Sequence, residues 1–455
     1  MKITNNINEN IFRGYDIRGI YEKDLTIDVA YTIGLGFGTK LRKENKTTTI
    51  IGYDNRESSP ILFEALAKGI IDTGIDVINL GLVTTPMYYY ALTLFKANSG
   101  IMITGSHNPK EYNGFKMTFT GIYNAYGEYI KEFKDLVLRG NFLEGQGKIV
   151  KENIEERYLN YITSSIKLGD YQPKIVVDCG NGTPAIIIKK VLDKLNIDYY
   201  PLYCESDPNY PNHHPDPSVE KNLEALKNKV LELKADVGFA YDGDGDRVGM
   251  VDELGKTVPA DHFMIIVIRN LINKIEDKRF LYDVKCSKAI EDEIIKLNGT
   301  PICYRTGNSY VRAKIYEEGI KFGGELSGHI FFNDKFHGFD DGVYSSLRMI
   351  EIISKENKAV SSLLEGISKY YSTEELKIKA DDNIKFKQIE QVKEYCLEKN
   401  YNILTIDGCK VLFEDGFALI RASNTGPNIT MRFEAKTETR LKEIKEEFET
   451  LLKRL

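Results

Sequence analysis

The chain has 455 residues, too many for one hydrophobic core, so roughly three or four domains are expected. Its 42% hydrophobic and 28% charged residues are ordinary for a soluble protein. A formal net charge of −6 gives no nucleic-acid footprint, and the longest apolar run, Phe263 to Ile268, is far too short to span a bilayer. The polar opening, Met1 to Asn10, lacks the apolar core of a signal peptide, and the six cysteines show no C-x-x-C spacing. Reduced thiols in a cytoplasmic protein are therefore expected.

Phe12 to Gly19 mixes glycines, Arg13, Arg18 and the aromatic Tyr15. A helix is expected over Ile27 to Arg42. A strand–helix–strand–helix–strand unit then appears three times. The first copy has strands at Thr48–Gly52 and Val77–Leu80, with helices from Pro60 to Thr73 and from Pro86 to Phe95. Its third strand, Ser99 to Ile103, opens onto Thr104-Gly105-Ser106-His107-Asn108-Pro109, followed by Asn113-Gly114-Phe115-Lys116. The second copy has strands at Lys174–Asp178 and Asp198–Tyr200, helices from Pro184 to Leu195 and up to Leu233, and a Pro-rich loop from Asp207 to Pro217. Its third strand, Asp236 to Ala240, ends at Asp242-Gly243-Asp244-Gly245-Asp246-Arg247. The third copy begins at Phe280–Lys285, passes Ile302–Tyr304 and the loop Arg305 to Asn308, and ends at Gly323-Gly324-Glu325-Leu326-Ser327-Gly328-His329. The tail reads as a small α+β domain. A polar helix spans Phe386–Lys399, strands lie at Lys410–Phe413, Phe417–Ile420 and Ile429–Phe433, and a last helix runs from Thr437 to Leu452. Asp415-Gly416 is a hairpin signal.

The chemistry gathers at the strand ends, where ligands bind in open α/β sheets. Ser106 sits on a tight loop after a buried strand and needs a base, a metal or a charge partner to act as a nucleophile. His107, Lys116 or a distant carboxylate cluster could supply one. Asp242, Asp244 and Asp246 alternate with glycines, so three hard oxygen ligands can converge on Mg²⁺ more readily than on Ca²⁺. An EF-hand is disfavoured because its sixth position would be Arg247 instead of glycine and the flanks read as strands. Glu325, Ser327 and His329 offer an acceptor, a hydroxyl and a proton carrier. Arg421 to Asn428 collects donors suited to a phosphate. Taken singly, each motif has a plainer reading: a surface turn, a solvated acidic turn, a hairpin with a structural histidine, a polar loop.

Together the motifs resemble the α-D-phosphohexomutase family, and most closely its phosphomannomutase/phosphoglucomutase branch. The resemblance runs from Tyr15-Asp16-Ile17-Arg18-Gly19 to Arg421-Ala422-Ser423-Asn424-Thr425. It implies three similar mixed α/β domains and a C-terminal α+β domain, similar to the TATA-binding-protein fold, around a central cleft. The limits are expected at 1-152, 153-254, 255-370 and 371-455. By the same resemblance Ser106 is the phosphoserine, and Asp242, Asp244 and Asp246 hold Mg²⁺ with its phosphate. Arg18, Arg247 and Lys116 stabilise the transferring phosphoryl group, and His329 is the general acid/base. Tyr15, Lys285, Asn308, Glu325 and Ser327 contact substrate, while Arg421, Ser423, Asn424 and Thr425 grip the non-reacting phosphate. The implied reaction interconverts hexose 1- and 6-phosphates of mannose or glucose through a hexose 1,6-bisphosphate, in a monomer without nucleic-acid or membrane partners. Leu326 departs from the glutamine usual in phosphoglucosamine mutases. Several relatives carry histidine where Asn308 stands, and asparagine can hydrogen-bond there but not titrate. The rival readings are a phosphoglucosamine mutase, a non-catalytic phosphosugar-binding protein and an aspartate-nucleophile phosphatase.

Overall fold

A computed structural model describes residues 1–121, 124–423 and 428–455, with backbone only at 382 and 383. The chain divides into two compact units, Met1–Val258 with Ser327–Leu363, and Pro259–Leu326 with Leu364–Leu455.

In the first unit, the fully buried strand Gly100–Ile103 runs parallel to Thr48–Tyr53, which runs parallel to Asp76–Leu82. Near-continuous apolar runs are what strands covered on both faces require. Helices Ser58–Ile71 and Thr85–Leu94 make the crossovers. Thr84 caps the second by accepting from the Met87 N–H, and Pro86 sits in its first turn. The segment after the Ser106 loop is itself a strand, Tyr112–Thr118, folded back antiparallel on Gly100–Ile103. It pairs in turn with Ile17–Ile20. The second sheet repeats the plan. Val237–Tyr241 and Tyr199–Leu202 flank Ile175–Asp178 in parallel, and Val248–Asp252 returns antiparallel on Val237–Tyr241. The helix expected from Pro184 starts as a 3-10 turn, Thr183–Ile186, and is α-helical over Ile188–Lys194. Its start is held elsewhere, because the Thr183 N–H donates to the Gly243 carbonyl at 2.8 Å.

In the second unit, Phe322–Gly324 and Thr300–Tyr304 flank Arg279–Asp283, again parallel. All three copies therefore share the spatial order third, first, second strand. The Ser106 loop, the acidic loop and the Glu325 loop all follow the third strand. The tail forms an antiparallel sheet of Tyr371–Ser372, Asn428–Ala435, Gly416–Ala422, Cys409–Phe413 and Asn402–Leu404, with Leu376–Lys379 also paired to Asn428–Ala435. Helices Asp382–Glu398 and Glu438–Arg454 cover it, with Val392, Cys396, Phe433, Ile444 and Phe448 between. The hairpin turn falls on Glu414-Asp415, one residue before the expected Asp415-Gly416, because Gly416 already pairs with Phe413. Gly416 is needed for space instead: a methyl there would lie 1.9 Å from the Glu434 carbonyl oxygen. All six cysteines are free thiols. No helix among the described residues is long and apolar enough to cross a membrane.

Candidate active site

Ser106 is buried and adopts φ +50°, a left-handed backbone that serine seldom takes. The Thr104 hydroxyl accepts its N–H at 2.8 Å, and the Asn108 N–H closes the turn on the Gly105 carbonyl at 3.0 Å. Its Oγ donates to Asp242 Oδ2 at 3.2 Å and lies 3.2 Å from His107 Nδ1. Burial, then the nearby Arg247 and Arg18 guanidinium groups, push the His107 imidazole well below its usual range.

Asp242, Asp244 and Asp246 are wholly buried on the turn between Val237–Tyr241 and Val248–Asp252, with ligand atoms within 4.8 Å of one another. Asp242 Oδ1 folds the turn by accepting the N–H groups of Gly245 and Arg247 at 3.0 and 3.1 Å. Lys116 reaches in from its strand and donates to Asp244 Oδ2 at 2.8 Å and Asp246 Oδ2 at 2.6 Å. Thr85 Oγ1 adds a bond to Asp244 at 2.6 Å. Burial and the neighbouring carboxylates raise Asp242 well above the carboxylate range. Burial acts the same way on Asp244, yet Lys116 outweighs it and holds that group low. Lys116 itself is raised well above its ordinary value: burial opposes its charge, and Asp244 and Asp246 more than compensate. The flanks are strands, and Glu253, where an EF-hand would close, instead bonds the Ser361 hydroxyl and N–H. The acidic loop is not an EF-hand.

His329 stands beside this cluster. Arg247 Nε donates to its Nε2 at 2.9 Å, so the ring proton belongs on Nδ1. Nδ1 lies 2.8 Å from Asp340 Oδ2 and 3.6 Å from Asp246 Oδ1. Arg18 donates to Asn108 on the Ser106 loop at 2.9 Å and to Asp16 at 2.5 Å. Tyr15 is half-buried near Arg18, and Ser327 is half-buried.

The second unit holds a separate set. Glu325 accepts the Gly307 N–H at 2.5 Å, next to Asn308 at the start of helix Asn308–Glu318. Asp283 accepts from the Thr306 hydroxyl at 2.8 Å and the Leu326 N–H at 3.1 Å, tying the two loops together. Asp407 accepts from the Thr306 N–H and from Arg421 Nε, both at 3.0 Å. Lys285 pairs with Glu375 at 3.0 Å. Burial works against the Lys285 charge, but Asp283 and Glu375 leave it raised. Lys385 Nζ donates to the Ser423 carbonyl at 2.6 Å. Asn424 and Thr425 lie outside the described residues.

Comparison with known proteins matches four models in sequence along the chain. They are described as phosphoglucomutase/phosphomannomutase alpha/beta/alpha domain I over residues 9–140, domain II over 156–255, domain III over 259–371 and C-terminal domain over 375–451. The chain belongs to the phosphoglucomutase/phosphomannomutase family. It is 38% identical to a phosphomannomutase/phosphoglucomutase of Pseudomonas putida over 98% of this chain and 96% of the relative. It is also 38% identical to a phosphoglucomutase of Neisseria meningitidis, over 98% and 97% of the two chains. A family crystal structure from Burkholderia thailandensis superposes with a TM-score of 0.91 at 36% identity, covering 98% of each chain.

In this family member the acidic triplet fits a divalent cation by its own chemistry. Three buried carboxylates face one buried lysine and an arginine 4.0 Å from Asp242. Asp244 Oδ1 and Asp246 Oδ1 are buried with no hydrogen-bond partner among the described residues. A hard cation would satisfy those oxygens and relieve the repulsion. Thr85, Asp340, Asp283 and Asp407 escaped the sequence reading. Thr84-Thr85-Pro86 shows a helix start but not the turning of one hydroxyl toward Asp244. Asp340-Asp341 ahead of Gly342 shows a cap, and nothing local says that Asp340 meets His329.

Proposed function

We propose that this chain interconverts the 1- and 6-phosphates of mannose, glucose or both, through a phosphorylated Ser106 and a hexose 1,6-bisphosphate. One observation carries the reading: a buried serine hydroxyl bonded to one carboxylate of a triplet whose other two share a buried lysine. Names given to the relatives support the same reaction.

In the first transfer the sugar hydroxyl oxygen bonds to phosphorus as the bond from phosphorus to Ser106 Oγ breaks. His329 takes the hydroxyl proton on Nε2 once Arg247 turns from it to the phosphoryl oxygens, and Asp340 holds the ring through Nδ1. Lys116, Arg18 and Arg247 supply fixed positive charge where negative charge builds up on the phosphoryl oxygens. Mg²⁺, held by Asp242, Asp244 and Asp246 with the serine phosphate, would neutralise that group. The bisphosphate then presents its other phosphate to Ser106 Oγ, and the steps reverse. Glu325 and Ser327 read the sugar hydroxyls, with Lys285, Asn308 and Tyr15 as further contacts. Arg421, Ser423, Asn424 and Thr425 hold the idle phosphate. The working form is a cytoplasmic monomer, which sedimentation checks.

The test supplies mannose, glucose and glucosamine 1-phosphates with Mg²⁺ and catalytic hexose 1,6-bisphosphate, and follows the 6-phosphate formed. Ser106→Ala is expected to remove most turnover. Near-wild-type turnover by that variant ends the reading, as does net release of inorganic phosphate by the wild type.

A further inference from the structure

Arg56 is among the most deeply buried large side chains, only 2% exposed, just beyond strand Thr48–Tyr53. Its guanidinium lies 5.9 Å from the Tyr210 ring centre, and its hydrogen bonds gather on the segment from Ser106 to Tyr112. Nη2 donates to the carbonyls of Ser106 at 2.8 Å and Asn108 at 2.6 Å, and Nη1 to those of Pro109 at 2.6 Å and Tyr112 at 2.9 Å. Nε lies 3.3 Å from Asp54 Oδ2, and the same carboxylate oxygen accepts the Gly105 N–H at 3.1 Å. Asp54 is fixed from below by the Ser59 hydroxyl at 2.5 Å. A methyl on Gly105 would lie 2.4 Å from the Arg56 Cζ, so the loop is fitted around the guanidinium. Four carbonyls of one turn converge on one fork of donors. Lysine, with its donors on a single nitrogen, cannot reach all four at these angles.

We infer that Arg56 is a positioning residue for the nucleophile: it holds the backbone from Ser106 to Tyr112 so that Ser106 Oγ meets the acidic triplet. It does not touch the reacting atoms, and its effect on rate rests on the function proposed above. Because it grips carbonyls and not the side chain, it can hold the loop whether Ser106 is free or phosphorylated. Displacing a reacting group by about 1 Å costs roughly 10²-fold in rate.

The test compares wild type, Arg56→Lys and Arg56→Met by kcat, KM and site-resolved hydrogen exchange. The expected result for Arg56→Met is a kcat lower by about 10²-fold with KM changed less than about threefold, and for Arg56→Lys an intermediate kcat. Exchange should quicken at residues 105–112 while the rest of the chain keeps its protection. A folded Arg56→Met enzyme with wild-type kcat overturns the inference. So does protection lost evenly throughout the chain, or failure of both variants to fold, since each assigns Arg56 to general stability. If the wild type lacks mutase activity, the functional reading fails separately, and the exchange comparison alone decides: quickening confined to 105–112 supports the inference, and no change there overturns it.

Discussion

Gly243 stands where the acidic loop touches the nucleophile loop, and adding one methyl there probes that contact alone. The Cβ of Gly243→Ala would lie 2.5 Å from the Ser106 carbonyl oxygen, about 0.9 Å short of an ordinary contact of 3.4 Å. It cannot swing aside freely, because Pro215 Cγ is 3.5 Å away. Gly243 does not have a positive φ, so alanine meets no backbone penalty and the effect is steric. The two loops must part by most of that 0.9 Å, which lengthens the contact of Ser106 Oγ with Asp242 from 3.2 Å toward 4 Å. A misplacement of this size costs roughly 10²-fold in kcat, or about 2.7 kcal/mol of transition-state stabilisation. KM should hold, since the groups assigned to the sugar and the idle phosphate are elsewhere. A coupled assay of glucose 1-phosphate conversion reads kcat and KM, and circular dichroism checks the fold. A well-folded variant with kcat within about twofold of wild type would refute the steric reasoning.

Lys116→Met leaves Asp244 and Asp246 buried without their cation, so the metal-free protein should lose about 3 to 5 kcal/mol in denaturant melts along with nearly all activity. Mg²⁺ at 100 times its dissociation constant should stabilise the wild type by about 2.7 kcal/mol in thermal melts, and Asp246→Asn should abolish most of that shift and the activity. His213 donates to the buried Asp178 at 3.0 Å; burial lowers its pKa, but the bond and charge of Asp178 leave it above the ordinary 6.5. The stability this pair contributes should be complete below pH 6.5 and fade as pH rises through the elevated value, and His213→Gln should flatten that dependence in melts from pH 5.5 to about 8.5.

The repeat was legible because buried strands need apolar runs, and Ile50-Ile51 and Ile101 to Ile103 in the first copy, and Ile175 to Val177 and Phe239-Ala240 in the second, supply them in the same order of elements. The acidic triplet was legible for a related reason: residues two apart on a glycine-rich turn converge whatever surrounds them. Reading fell short where a residue's job depends on a distant partner. Arg56 looks like the ordinary end of a strand. Gly416 looks like a turn glycine until the Glu434 carbonyl 1.9 Å from its would-be methyl shows otherwise.

Sequence alone determined the order of the strands in the three repeats and the polar side chains offered at their ends, because propensity and periodicity act over a few neighbouring residues. Tertiary packing alone decided that Ser106 meets Asp242 across 136 residues, that Lys116 threads between two carboxylates, that Asp340 faces His329, and that a buried guanidinium gathers four carbonyls. Such meetings depend on how sheets and turns stack, and the free energy that fixes them comes from burial and charge compensation between segments that carry no local trace of each other.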